Sequence, residues 1–168
     1  MSENNEGITF TRIFEAPKEK VWQAWTDPEM TKKWWGPKDF TAPSIKIDLR
    51  VGGKYIFCMH GPAGSEWDKD MYSAGEYKEI VPNEKLVVSD YFSDKEGNKV
   101  SPTEYGQEGD FPEETVLTVR FEEVETGKTK LSIEYPPMSP EQREAMLKTG
   151  MEEGWKTTLD KLGEVVEK

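Results

Sequence analysis

Residues 139–168 read SPEQREAMLKTGMEEGWKTTLDKLGEVVEK. Ser139 can cap a helix, Pro140 suits its first position, and Glu141 and Gln142 fill the first turn. Leu147, Met151, Trp155, Leu159, Leu162 and Val166 then recur every three or four residues, which puts them on one helical face. Gly150 and Gly154 cost about 1 kcal/mol each inside a helix. A break near Gly150, or a close approach by another element, is therefore expected. A helix of roughly twenty residues spans about 30 Å. That is long enough to cross the concave face of a sheet.

The segments before it supply such a sheet. ITFTRIFE (8–15) alternates, with Ile8, Phe10, Arg12 and Phe14 on one side. Ala16-Pro17 ends that strand and opens a helix with Val21, Trp22 and Trp25 as its apolar stripe. PEMTKKWW (28–35) reads as a second short helix stopped by Gly36-Pro37. Strands are expected at 45–50, 54–60, 73–81, 84–92, 115–124 and 129–135, separated by turn signals such as Gly52-Gly53, Pro82-Asn83 and Thr126-Gly127. Leu117, Val119 and Phe121 share one face, and so do Leu131, Ile133 and Tyr135. This alternation suits antiparallel strands with one wet and one packed side. A sheet of this size curls, and gripping the C-terminal helix buries its inner face.

The length of 168 residues fits one domain over 1–168, with residues 1–6 a flexible N-terminus. The net charge of −11 repels phosphate backbones, so nucleic acid is not expected as a partner. No apolar run reaches the roughly 20 residues that cross a bilayer, so no membrane insertion is expected. Cys58 is the sole cysteine, and the N-terminus has no apolar signal core; both fit a cytoplasmic protein. Six Trp, six Tyr and seven Phe must fill a core, line a cavity, or do both.

Five blocks, RIFEAPKEKVWQAWTDPEMTKKWWGP, IDLRVGGKY, GEYKEIVPNEKL, TVRFEEVETGKTKLSI and GWKTTLDKLGEVV, run in order over nearly the whole chain. Together they resemble the START-like (SRPBCC, birch-pollen-allergen-like) superfamily, in the branch that shares the C-terminal domain of the heat-shock-protein ATPase activator. The resemblance implies an α+β helix-grip fold: a curved antiparallel β-sheet wrapped around a long C-terminal α-helix, with two short helices after the first strand. It also implies a cavity between sheet and helix that holds an apolar or amphipathic small molecule. A chaperone-interaction module and a cyclase- or hydrolase-type enzyme are the alternatives that it leaves open, and it admits a homodimer.

In such a fold Met151, Trp155 and Leu159 form one cavity wall. Phe57, Met59, Trp67, Met71 and Tyr91 are candidates for the opposite wall, with Trp35 at the mouth. Of Trp34 and Trp35, one ring is expected in the core and the other at the cavity. Tyr91 and Phe92 are adjacent and cannot both point inward in a regular strand. His60 and Glu76 are candidate polar anchors, and Glu76 or Asp90 could do acid–base work if turned inward. Asp48 and Arg50 lie on one strand face and can pair. Residues 99–114 form a long connection, anchored by Tyr105 and Phe111, that is expected to fold as a lid. No catalytic set, metal site or cofactor is expected. A single histidine supports neither a triad nor a ligand cluster.

Overall fold

A computed structural model describes residues 7–105 and 112–167. Strand β1 (Ile8–Phe14) is followed by helices α1 (Lys18–Thr26) and α2 (Pro28–Thr31). Strands β2 (Ile45–Ile47), β3 (Lys54–His60), β4 (Asp70–Val81), β5 (Lys85–Ser93), β6 (Thr115–Glu125) and β7 (Lys128–Tyr135) follow, then helices α3 (Pro140–Leu147) and α4 (Met151–Val166). All seven strands join one antiparallel sheet in the order β1-β7-β6-β5-β4-β3-β2. The chain reaches β2 at the far edge by way of α1 and α2, then returns strand by strand until β7 pairs with β1. This is the helix-grip architecture expected from the sequence.

The inward parity of the strands is borne out. Leu117, Val119 and Phe121 on β6 and Leu131, Ile133 and Tyr135 on β7 are all buried. They belong to one core with Leu159, Leu162 and Val166 of α4. Arg12 fastens α4 to β1 from the rim, donating to Asp160 at 2.8 Å and to the Lys156 carbonyl at 3.2 Å.

The C-terminal helix breaks where its glycine foretells. Gly150 sits at φ 82° between α3 and α4, a left-handed conformation that glycine adopts without a Cβ penalty. The start of α3 is a capping box: Ser139 Oγ accepts from Gln142 N at 3.1 Å, and Gln142 Oε1 accepts from Ser139 N at 3.4 Å. The 16 residues of α4 give about 24 Å of helix. The remaining length turns away as α3, so the two helices form a corner over the sheet.

Two expected elements are shorter than their sequence suggests. The strand from Ile45 ends at Ile47, because Asp48 to Gly53 form the turn. In that turn Asp48 and Arg50 pair side by side at 2.9 Å on the surface. Helix α2 stops at Thr31, so Trp34 and Trp35 lie in the turn that follows it. The segment 1–6 and Phe111 lie outside the described residues, as do residues 106–110 of the expected lid. No described helix is long and apolar enough to cross a membrane.

Candidate functional site: a cavity under the helical corner

The turn after α2 gives the two tryptophans different surroundings. Trp34 is fully buried and its indole N–H donates to the Ala24 carbonyl at 2.9 Å, beside the Thr31 hydroxyl, which donates to the same oxygen at 2.8 Å. These bonds satisfy a carbonyl in the last turn of α1, where helix carbonyls run out of partners. Trp35 is only partly buried and meets Trp34 with ring centroids 5.7 Å apart. It meets Phe57 with ring centroids 4.8 Å apart and Trp155 at 5.9 Å. The chain beyond it is held by Lys161 of α4. That ammonium donates to the carbonyls of Gly36, Phe40 and Pro37 at 2.9, 3.1 and 3.3 Å. Burial pushes its pKa down.

Trp35 is one wall of a cavity of about 380 Å³. Pro37 and Phe40 continue that wall. The α3–α4 corner covers the cavity with Met146, Thr149, Gly150, Met151, Gly154 and Trp155. The sheet contributes Met59 from β3, Met71 and Ser73 from β4, Asp90 and Phe92 from β5, Thr115 from β6 and Tyr135 from β7. Trp67, on the connection from β3 to β4, closes one side, and Tyr72, Tyr105 and Pro112 stand at the sheet margin. A smaller void of about 40 Å³ lies deeper, among core residues. Trp35, Asp90 and Trp155 border both spaces and so form the partition between cavity and core.

Asp90 is the polar group at that partition. Asp90 is half-buried by accessible area, because the cavity beside it is open, yet it lies deep enough that desolvation raises its pKa to about 6. One hydrogen bond, from the Tyr55 hydroxyl at 3.1 Å, opposes that rise; the same hydroxyl makes a shorter bond of 2.7 Å to the Ser89 carbonyl. Tyr135 receives the Trp155 indole N–H at 3.0 Å. Its own pKa is raised, first by burial and then by the charge of Asp90. Among the described lining residues Asp90 is the one carboxylate, and no Lys, Arg or His joins it. No described cluster of His, Cys, Asp and Glu could hold a metal ion.

Of the residues singled out from sequence, Trp35, Met59, Trp67, Met71, Tyr91, Met151 and Trp155 line the cavity. Tyr91 does so without offering its hydroxyl. Its ring carries Lys99 Nζ at 5.3 Å and its hydroxyl points to the Gly97 carbonyl at 3.5 Å, on the turn after β5. Phe57 borders only the deeper void, because Trp35 lies across it. Leu159 is a buried core residue away from the cavity, which ends at Trp155 one turn earlier.

Neither proposed polar anchor reaches the site. Glu76 precedes the inward Tyr77 and so faces outward, where Lys78 lies 3.7 Å away. His60 lies outside the lining, between Asp70 at 2.7 Å and Asp68 at 2.8 Å. Those two bonds raise its pKa, Asp70 contributing most. They also brace the connection that carries Trp67. Gly61 N donates to the Trp67 carbonyl at 2.8 Å, and a Cβ on Gly61 would collide with Trp67.

The direction of Asp90 is legible in the sequence, although only its residue type marks it as a candidate. Strand parity holds the signal: Leu86 and Val88 are buried inward residues of β5, and Asp90 is the next on that face. Tyr135 was legible as inward but not as a polar group, because its partner Trp155 is distant in sequence. Phe40 and the α3 residues carry no sequence signal for a cavity.

The family described as Activator of Hsp90 ATPase homolog 1-like protein matches residues 15–167. Among solved structures, a Mycobacterium smegmatis protein is similar over 98% of this chain and 93% of its own, with 24% identity and a TM-score of 0.79. An Arthrobacter aurescens protein is similar over 99% and 88%, with 26% identity and a TM-score of 0.78. A Chromobacterium violaceum protein is similar over 97% and 98%, with 26% identity and a TM-score of 0.74. No curated protein matches the chain. The match spans both short helices, the sheet from β2 to β7 and the helical corner, and the chain belongs to the Activator of Hsp90 ATPase homolog 1-like protein family.

Proposed function

We propose that this protein binds an apolar or amphipathic small molecule in the cavity beneath the α3–α4 corner. The observation that carries the reading is a cavity of about 380 Å³ walled by Trp35, Trp67, Trp155 and four methionines, with Asp90 as the one charged side chain among the described lining residues. A volume of this size is within the range of small-molecule sites. Burial of ligand surface against those walls drives binding. Methionine side chains adapt to ligand shape while the indoles hold the outline. Asp90 and Tyr135 orient the bound molecule.

Two other readings have one observation each. The raised pKa of Asp90 beside Tyr135 suits acid–base chemistry on whatever the cavity holds. The family description names the activation of a chaperone ATPase, which suits a protein partner. Native mass spectrometry of freshly purified protein, repeated under denaturing conditions, separates them. The binding reading predicts a discrete added mass that is lost on denaturation and is absent from a cavity-filled Gly154→Phe variant that still folds. Bare protein that also takes up no added octanol would count against it.

A further inference from the structure

Building on the binding reading, we infer that the ligand of this cavity carries a protonated amine or other ammonium head that docks against Asp90. Three observations converge on it. First, Asp90 is the one charged side chain among the described lining residues, and no cation in the lining balances it. An ammonium group supplies the missing countercharge, whereas a carboxylate or phosphate head would be repelled and would meet no basic residue.

Second, the Asp90 carboxylate is under-used as an acceptor. Its contact among the described residues is the Tyr55 hydroxyl at 3.1 Å, whose shorter bond goes to the Ser89 carbonyl. A carboxylate can accept about four hydrogen bonds, so a group with several N–H donors suits it. Third, Asp90 shares the partition with Trp35 and Trp155. Indole faces attract cations, and more strongly where water is excluded. The apolar tail would then run toward Met59, Met71 and Met151.

The net charge of −11 attracts any cation, so a bare preference for amines is not sufficient evidence. The test is calorimetric titration of the intact chain and of Asp90→Asn with octylamine, octanol and octanoate, all below their aggregation concentrations, at about pH 7.5. The expected order for the unaltered chain is octylamine, octanol, octanoate, with octylamine about tenfold or more tighter than octanol. Asp90→Asn should erase the preference for octylamine over octanol, whatever it does to octanol itself, and its cooperative thermal unfolding shows separately that the variant folds. Equal binding of octylamine and octanol by the unaltered chain would overturn the inference and leave the cavity reading standing. An amine preference that survives Asp90→Asn would do the same, since the chain's overall charge would then be its source. Failure of all three probes to bind would overturn both.

Discussion

The indole N–H of Trp155 donates to the hydroxyl of Tyr135 at 3.0 Å. This bond joins the first half of α4 to the last residue of β7 at the inner end of the cavity. It occupies the hydroxyl's oxygen and leaves the phenolic proton unspent among the described residues. Trp155 also stacks on Trp25, with planes 19° apart and centroids 6.3 Å apart. The cavity wall and the core are therefore one continuous aromatic assembly, and the Tyr135 hydroxyl is tied into it.

The two adjacent tryptophans should give different phenotypes. Trp34→Ala removes a fully buried ring and its bond to the Ala24 carbonyl, and should cost about 3–5 kcal/mol of stability. Trp35→Ala removes a partly exposed wall and should cost about 1–2 kcal/mol while weakening octanol binding. Urea denaturation and calorimetry measure the two effects. Equal losses of stability would contradict this division of roles.

Asp90 should lower the stability of the ligand-free protein. Its ordinary pKa of 3.8 applies to the unfolded chain, against about 6 in the fold. Between these values the native state binds more protons, so stability falls as pH rises, and above about pH 6 the full cost of the buried charge is present. Tyr55 from β3, Tyr135 from β7 and Tyr91 on the same strand face or neighbour Asp90, and their raised pKa values keep them neutral throughout that window. Asp90→Asn should stabilise the protein by about 1–3 kcal/mol at neutral pH, with the gain vanishing below about pH 4. A less stable Asn variant at neutral pH would show that the charge is better compensated than its contacts indicate.

His60 should titrate above its ordinary value of 6.5, with Asp70 as the larger cause and Asp68 the smaller. The raised pKa means that its contribution to stability is complete below 6.5 and is lost as pH rises through the folded value. Both ring nitrogens face carboxylates, and only the imidazolium donates from both. Titration of the ring protons by NMR should give the higher midpoint, with the Trp67 indole signal following it. Asp70→Asn should bring the midpoint down. A midpoint at or below 6.5 would remove His60 as the brace of this connection.

The two glycines of the helical corner should respond oppositely to alanine. At Gly150 the φ of 82° penalises any side chain, so Gly150→Ala should destabilise by about 1–2 kcal/mol. Gly154 lies inside α4, and an added Cβ would meet Pro37 Cγ at an ordinary 3.7 Å. Gly154→Ala should therefore stabilise by up to about 1 kcal/mol. Thermal unfolding of both variants checks the signs; a destabilised Gly154→Ala would mean that Pro37 cannot accommodate the methyl.

The sheet was legible because each strand has one wet and one packed face; β3 was expected at 54–60 and lies at Lys54–His60. The helical corner was legible because Gly150 stands out among good helix formers. The early end of α2 was not, because it depends on Trp34 finding the Ala24 carbonyl across a turn. The extent of the cavity was not legible either. Whether Leu159 or Phe57 meets open space depends on where Trp35 and Trp155 fall in three dimensions, and helical or strand period says only that each faces inward. Parity distinguishes Glu76 from Asp90: Glu76 adjoins the inward Tyr77, whereas Asp90 follows Leu86 and Val88 on the inward face of β5.

The most direct test follows the six tryptophan indole N–H signals by NMR while octanol is added. Trp35, Trp67 and Trp155 line the cavity, whereas Trp34 and Trp22 do not. The account predicts saturable shifts of the first three signals, with Trp34 and Trp22 unmoved. Shifts confined to Trp22, or no saturable shift of any indole, would contradict a ligand site beneath the α3–α4 corner.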